Sequence, residues 1–184
     1  MIKPWKLLSS KDISPSKWFP IEQRVYLRPD GSIVDDFTVS PINDVPMTVP
    51  ITKDSQVVLV HIYKPGVDQT LYQFPAGRKD STQETFKHLA VRELEEETGI
   101  KIQQSQLKKL GICTGFTTKS SERVHLFYVD NCEFNSTIKP DEHETLEPIT
   151  VSIPQMEAMI HSGKIICAQT ISAWTLAQKR LNLQ

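Results

Sequence analysis

The chain has 184 residues, 39% hydrophobic and 23% charged, enough apolar material for one sizeable core. A formal charge of −1 with no block of Lys or Arg excludes the electrostatic footprint of a nucleic-acid binder, and no apolar stretch reaches the roughly 20 residues that cross a bilayer. Cys113, Cys132 and Cys167 are odd in number and lack metal-ligand spacing, so inert thiols are expected rather than a disulfide framework; with no signal-peptide pattern at the start, the expected location is cytoplasmic.

In chain order, residues 24–27 and 33–39 flank Pro29-Asp30-Gly31 and predict a β-hairpin. So small a sheet is not stable by itself. Residues 1–45 are therefore expected to form an antiparallel β extension that packs on the main domain, 46–184, or on a second subunit. Residues 55–63 form a near-continuous apolar run, which suits a strand buried on both faces. A short strand at 71–74 enters the tight turn Pro75-Ala76-Gly77. Residues 124–129 predict another strand, with His125 read as a strand residue rather than a ligand. A shorter strand at 149–152 precedes a helix that carries Pro154 in its first turn. The chain closes with a helix over 170–181, where Ile171, Trp174, Leu176 and Leu181 make an apolar pattern.

The segment that carries chemistry is 85–98, which reads as a helix with a capping box at Ser81-x-x-Glu84 and a stop at Gly99. Successive residues about 100° apart put Phe86, Leu89 and Ala90 on one stripe, and the same stripe then carries Glu93, Glu96 and Glu97. An acidic run is by default a solvated face. Phase argues otherwise here, because Lys87, His88 and Glu95 already supply the outer face. Glu93, Glu96 and Glu97 stand at i, i+3 and i+4, so like charges converge. A hard cation such as Mg²⁺ relieves that repulsion while keeping water and phosphate oxygens in its shell.

Glu84, seven residues, then Arg92-Glu93-Leu94-x-Glu96-Glu97-x-Gly99-Ile100 resembles the Nudix box position for position. The departure is at its start, where six residues rather than five separate Gly77 from Glu84. The resemblance implies an α/β (α+β) Nudix fold, a mixed β-sheet sandwiched between helices. Gln73-Phe74-Pro75-Ala76-Gly77 and the segment from Ser162 through Ala168-Gln169-Thr170 are similar to stretches of the ADP-ribose pyrophosphatase-like subfamily. In that subfamily an N-terminal sheet contributes to a homodimer and to the base pocket, which makes Trp18 and Trp5 candidate stacking surfaces. Lys64 and Gln73 stand where these enzymes usually have Arg and Glu; Arg forks a phosphate and Lys does not, so both bear on substrate choice.

What the resemblance implies is hydrolysis of a nucleoside diphosphate linked to another moiety, ADP-ribose or a nucleotide sugar, to nucleoside monophosphate and sugar phosphate. Mg²⁺, or Mn²⁺ in its place, would be held by Glu93, Glu96, Glu97 and the Ala76 carbonyl, with Arg92 orienting the glutamates. Glu144 is the candidate base or extra ligand on a later loop, with Glu142 and Glu147 as its competitors. Two alternatives stay open: a Nudix hydrolase of nucleoside triphosphates or dinucleoside polyphosphates, and a non-catalytic Nudix ligand sensor, although sensors usually lose box carboxylates that this chain keeps.

Overall fold

A computed structural model describes residues 1–78 and 84–181. The chain divides into two compact units, Met1–Asp44 with Thr114–Arg123, and Val45–Cys113 with Val124–Gln184.

The first unit is an antiparallel meander of β1 (Lys6–Asp12), β2 (Glu22–Leu27) and β3 (Ile33–Val39). The expected hairpin is β2–β3. Strand β1 was not legible, because Lys-Leu-Leu-Ser-Ser-Lys-Asp has no apolar alternation and every one of its residues is exposed. Trp5, Tyr26 and Phe37 pack edge to face with ring centroids 5.7 to 6.2 Å apart, and the Arg28 guanidinium lies 4.8 Å over Trp5. The Ser40 N–H donates to Lys119 O at 2.7 Å, which ties the returning segment to the end of β3.

The second unit is built on a mixed six-stranded sheet, in the order β6 (Gln69–Gln73), β5 (Gln56–Lys64), β4 (Val45–Thr52), β8 (Val124–Cys132), β7 (Lys108–Cys113), with β9 (Leu146–Ser152) also pairing β5. Strands β4 and β8 run parallel and the other pairs antiparallel. Side chains alternate between two layers. Met47, Val49, Ile51, Val57, Leu59, Leu126 and Tyr128 pack with α2 (Ile153–His161) and α3 (Ala168–Gln178) through Met156 and Trp174. Val58, Phe127 and Val129 pack on the opposite face with Ala90 and Leu94 of α1 (Phe86–Thr98). The sheet is therefore sandwiched between helices, as the box implied.

Strand β4 carries Pro46 and Pro50, which in most sequences argue against an interior strand. Its register explains them. Thr48 shares their parity and sends its N–H to Pro75 O at 3.0 Å, away from β8. The missing proline N–H groups thus point away from the parallel ladder, to the side where β4 meets β5 only at Ile51–Val57.

Helix α1 begins one residue later than expected. Its N-cap is Thr85, whose hydroxyl accepts the His88 N–H at 3.2 Å. Ser81 of the expected capping box and most of the box loop 78–83, which carries the extra residue, lie outside the described residues. Gly99 ends the helix in the left-handed region (φ 73°) and donates its N–H to Glu95 O at 2.8 Å. A side chain there is excluded twice, since a Cβ would also stand 2.7 Å from Ser136 O. Pro154 sits in the first turn of α2 as expected, and α3 starts two residues before the predicted 170.

Candidate active site

The site is built where α1 crosses the α1-facing side of β4 and the Pro75-Ala76-Gly77 turn. Glu93 and Glu97 lie on the sheet-facing stripe with Leu89, Ala90 and Leu94, and are 8% and 0% exposed. Carboxylates so buried need partners. Glu97 Oε2 accepts the Ala76 N–H at 3.0 Å, but its Oε1 has no hydrogen-bond partner among the described residues. Glu93 lies against Gly77, where an added Cβ would fall 2.1 Å from the Glu93 carboxyl carbon. Only glycine leaves room for that carboxylate.

Arg92 holds the cluster from the side. Its guanidinium donates to Glu96 Oε2 at 2.8 Å, pairs with Glu93 Oε1 at 3.0 Å, reaches Glu84 Oε1 at 3.3 Å and donates to the Arg78 carbonyl at 3.2 Å. Charge-assisted bonds to three carboxylates fix their rotamers. Glu84 also bonds the His88 ring at 2.9 Å; burial pushes its carboxyl up, but Arg92 and His88 hold it below the usual value. An open cavity of about 330 Å³ runs along the outer side of α1 beside Arg92, Glu96 and Lys139.

Burial pushes the Glu93 carboxyl up to about 8, with Glu96, Glu144 and Asp141 adding to the rise and Arg92 opposing it. Glu97 is raised well above the usual range, by burial first and then by Glu144 and Glu93, against the Ala76 N–H and Lys64. Five carboxylates thus share one electrostatic field here.

Glu144 reaches this field from the loop before β9. Its N–H donates to Asp141 O at 2.9 Å, and the Tyr63 N–H donates to Thr145 O at 3.1 Å, which sets the loop beside the end of β5. Lys64 is the next residue of β5, and its charge reaches Glu97. Glu147 instead pairs with His61 Nδ1 at 3.2 Å, and His61 shares the parity of Val57 and Leu59, which face away from α1. Glu142 is exposed. Gln73 is buried at the end of β6, paired with Val60. His125 is a strand residue stacked on Phe86 with centroids 3.8 Å apart. Trp18 belongs to the first unit, 74% exposed, with Lys17 Nζ 4.7 Å from its ring centre.

Two residues that the sequence did not assign to the site also bear on this geometry. Thr170 accepts the Phe74 N–H at 3.3 Å and so holds the strand that delivers Ala76. Asp141 raises Glu93 from outside the box. Thr170 lies on α3 and Asp141 on the loop before β9, so packing between distant segments decides both.

Among the described residues, no three His, Cys, Asp or Glu side chains converge closely enough to hold a metal ion by themselves. The donor set still fits a hard cation. Its side-chain donors are carboxylates, with Glu97 Oε1 buried and unpartnered, and Mg²⁺ is bound through one or two carboxylates with water and substrate phosphates completing its shell.

Comparison with known proteins bears on the family and the fold. The ADP-ribose pyrophosphatase of Bacillus subtilis (strain 168) is 28% identical over 138 residues, 73% of this chain and 71% of that protein. The methanol dehydrogenase activator of Bacillus methanolicus is 25% identical over 127 residues, 68% of this chain and 66% of that one. The chain thus spans about two thirds of the length of these relatives. A solved structure described as an ADP compounds hydrolase has the same fold, with a TM-score of 0.84 at 22% identity, over 99% of this chain and 96% of that one. The NUDIX domain matches residues 44–168, more than half of the chain, and the chain belongs to the NUDIX family.

Proposed function

We propose that this NUDIX protein is a Mg²⁺-dependent pyrophosphohydrolase acting on a nucleoside diphosphate linked to a second group, ADP-ribose or a nucleotide sugar, and releasing nucleoside monophosphate and sugar phosphate. The observation that carries the reading is Glu97, a fully buried carboxylate with one oxygen bonded to Ala76 and the other unpartnered, set beside Glu93 in the field of Glu144. No structural need of the core explains a buried acid there, since an apolar side chain would pack at lower cost.

Glu93, Glu96 and Glu97, with the Ala76 carbonyl, are the groups that would hold the cation. When bound, Mg²⁺ neutralises diphosphate oxygens and lowers the pKa of water. The protein's own work is positional. Arg92 keeps Glu93 and Glu96 in fixed rotamers, and the Gly77 backbone leaves the Glu93 carboxylate its place. Glu144, half-buried on its loop, takes the proton of the attacking water as general base. Lys64, beside that loop, meets substrate phosphate as a point charge, and Gln73 lies on the neighbouring strand β6. In the first unit Trp18 is the stacking surface for the base, and its exposed ring is available for that role. A homodimer, in which a second copy covers β1, and a cytoplasmic location complete the reading; the described residues contain no helix long and apolar enough to cross a membrane.

The relatives support the substrate class: one is named an ADP-ribose pyrophosphatase and one solved structure an ADP compounds hydrolase. The test is phosphate release, with a coupled phosphatase and Mg²⁺, from ADP-ribose, UDP- and GDP-sugars, nucleoside triphosphates and diadenosine polyphosphates. Selective turnover of ADP-ribose or one nucleotide sugar is expected. Turnover of triphosphates or diadenosine polyphosphates alone would replace the substrate class, and no turnover of any of them would favour a ligand sensor.

A further inference from the structure

Three buried side-chain oxygens lack a hydrogen-bond partner among the described residues: Glu84 Oε2, Glu97 Oε1 and Thr48 Oγ1. Thr48 is the unexpected one. It is 1% exposed in the middle of β4, between Met47 and Val49, which both point into the α2–α3 layer. Alternation therefore aims the Thr48 side chain at the α1 layer. There α1 presents Ala90, Glu93, Leu94 and Glu97 to the sheet.

The two orphaned atoms hang from one turn. Thr48 sends its N–H to Pro75 O at 3.0 Å, and the next residue of the turn, Ala76, sends its N–H to Glu97 Oε2 at 3.0 Å. Ala76 also bridges to Met47 of β4. A hydroxyl and a carboxylate oxygen, both fully buried, thus sit on the same face of the sheet and depend on adjacent backbone groups. A buried hydroxyl left unmatched destabilises the fold. Valine fills nearly the same volume without that cost, so packing alone does not account for a threonine here.

We propose that Thr48 is a positioning residue of the cation site: its hydroxyl and Glu97 Oε1 share one buried water, which receives the donor of the first and donates to the second. The water ties the free half of the carboxylate to the central strand, as the Ala76 N–H ties the other half. Glu97 is then gripped at both oxygens while still able to offer a lone pair to a cation. Buried waters typically make about three such bonds to polar groups that would otherwise be unmatched. This inference deepens the proposed function and rests on Glu97 being a cation ligand.

The test uses the full chain in two arms. In the first, Mn²⁺ is titrated calorimetrically into wild type, Thr48→Val, Thr48→Ser, Glu97→Gln and the Thr48→Val/Glu97→Gln double variant. Removing a group that orients a metal ligand commonly weakens binding about 10–100-fold, so Thr48→Val should bind on the order of tenfold more weakly. Thr48→Ser keeps the hydroxyl and should stay near the wild-type affinity. Adding Thr48→Val to Glu97→Gln should change affinity no further. In the second arm, thermal unfolding in EDTA should show the Thr48→Val and Glu97→Gln shifts failing to add. Thr48→Val binding Mn²⁺ as wild type does, with additive thermal shifts, would overturn the proposal. Non-additive shifts in a wild-type protein that binds no metal would uphold the Thr48–Glu97 link and reject the cation-site reading instead.

Discussion

At Gly77 the backbone and a carboxylate compete for the same volume. A Cβ added there would meet only the end of the Glu93 side chain, at 2.1 to 2.3 Å, and no backbone atom stands among its closest neighbours. The flexible carboxylate would give way and the fold would survive. Gly77→Ala should therefore lower kcat by on the order of 10²-fold, the scale of a roughly 1 Å misplacement at a reacting centre, while the melting temperature stays close to that of wild type. A large loss of stability with unchanged specific activity would mean that the glycine serves the turn and not the acid. Glu144 presents the complementary case. It is half-buried and bonds chiefly within its own turn, yet its charge is felt by both Glu93 and Glu97. Glu144→Gln should cut kcat by about 10²–10⁴-fold, the usual worth of a general base, with little change in KM or melting temperature. Unchanged turnover would return the assignment to Glu142, since Glu147 is engaged by His61 on the other face.

Helix α1 was legible because everything that defines it is local. Glu93 and Glu97, at i and i+4, share the sheet-facing side whatever the rest of the chain does, and Gly99 stops the helix wherever the fold places it. Glu96, expected on the same stripe, instead lies beside Arg92 on the outer side. The continuous apolar run of β5 was legible for the same reason, since burial on both faces removes alternation. What stayed hidden depends on pairing between distant segments. Strand β4 reads poorly because of its prolines, and only the one-sided ladder to β8 makes them acceptable. The reach of the Lys64 charge to Glu97, the lock of Phe74 on Thr170 of α3 and the orphaned Thr48 all follow from packing between distant segments, which no spacing within one element encodes. The start of α1 differs from the expected 85 by one residue, because the backbone of Thr85, extended at ψ 153°, makes it the cap rather than the first helical residue. Thr85→Ala should accordingly cost about 1 kcal/mol, a fall of about 3 °C in melting temperature for a chain of this size, and leave kcat nearly unchanged. A collapse of activity without loss of stability would show that Thr85 acts on the substrate and not on the helix.

Across the whole molecule, the site should be visible as a pH-dependent weakness that a cation repairs. In the folded, metal-free protein Glu93 keeps its proton up to about 8, against an ordinary value of 4.5, and Glu97 is raised in the same direction. The folded state therefore binds more protons than the unfolded state between those values. Stability owed to Glu93 is fully present below about 4.5 and is lost as pH rises through about 8, and Glu97 acts in the same direction. Glu84 and Glu95 are shifted downward, so their contributions are lost on the acid side of that interval and do not mask the trend. Burial holds the Cys132 thiol up at about 12, which keeps it protonated and unreactive over the same range. A divalent cation stabilises only the ionised carboxylates, so its effect must grow with pH. The most direct measurement is scanning calorimetry of wild type and Glu93→Gln at pH 5.5 and 8.5, in EDTA and in excess Mg²⁺. The predicted result is a wild-type melting temperature in EDTA that falls by several degrees between the two pH values, a recovery on adding Mg²⁺ at pH 8.5 that is largely absent at pH 5.5, and a weaker response of both kinds in Glu93→Gln. A wild-type melting temperature that ignores Mg²⁺ at both pH values and matches the pH profile of Glu93→Gln would contradict the claim that the acidic stripe of α1 is held for a cation.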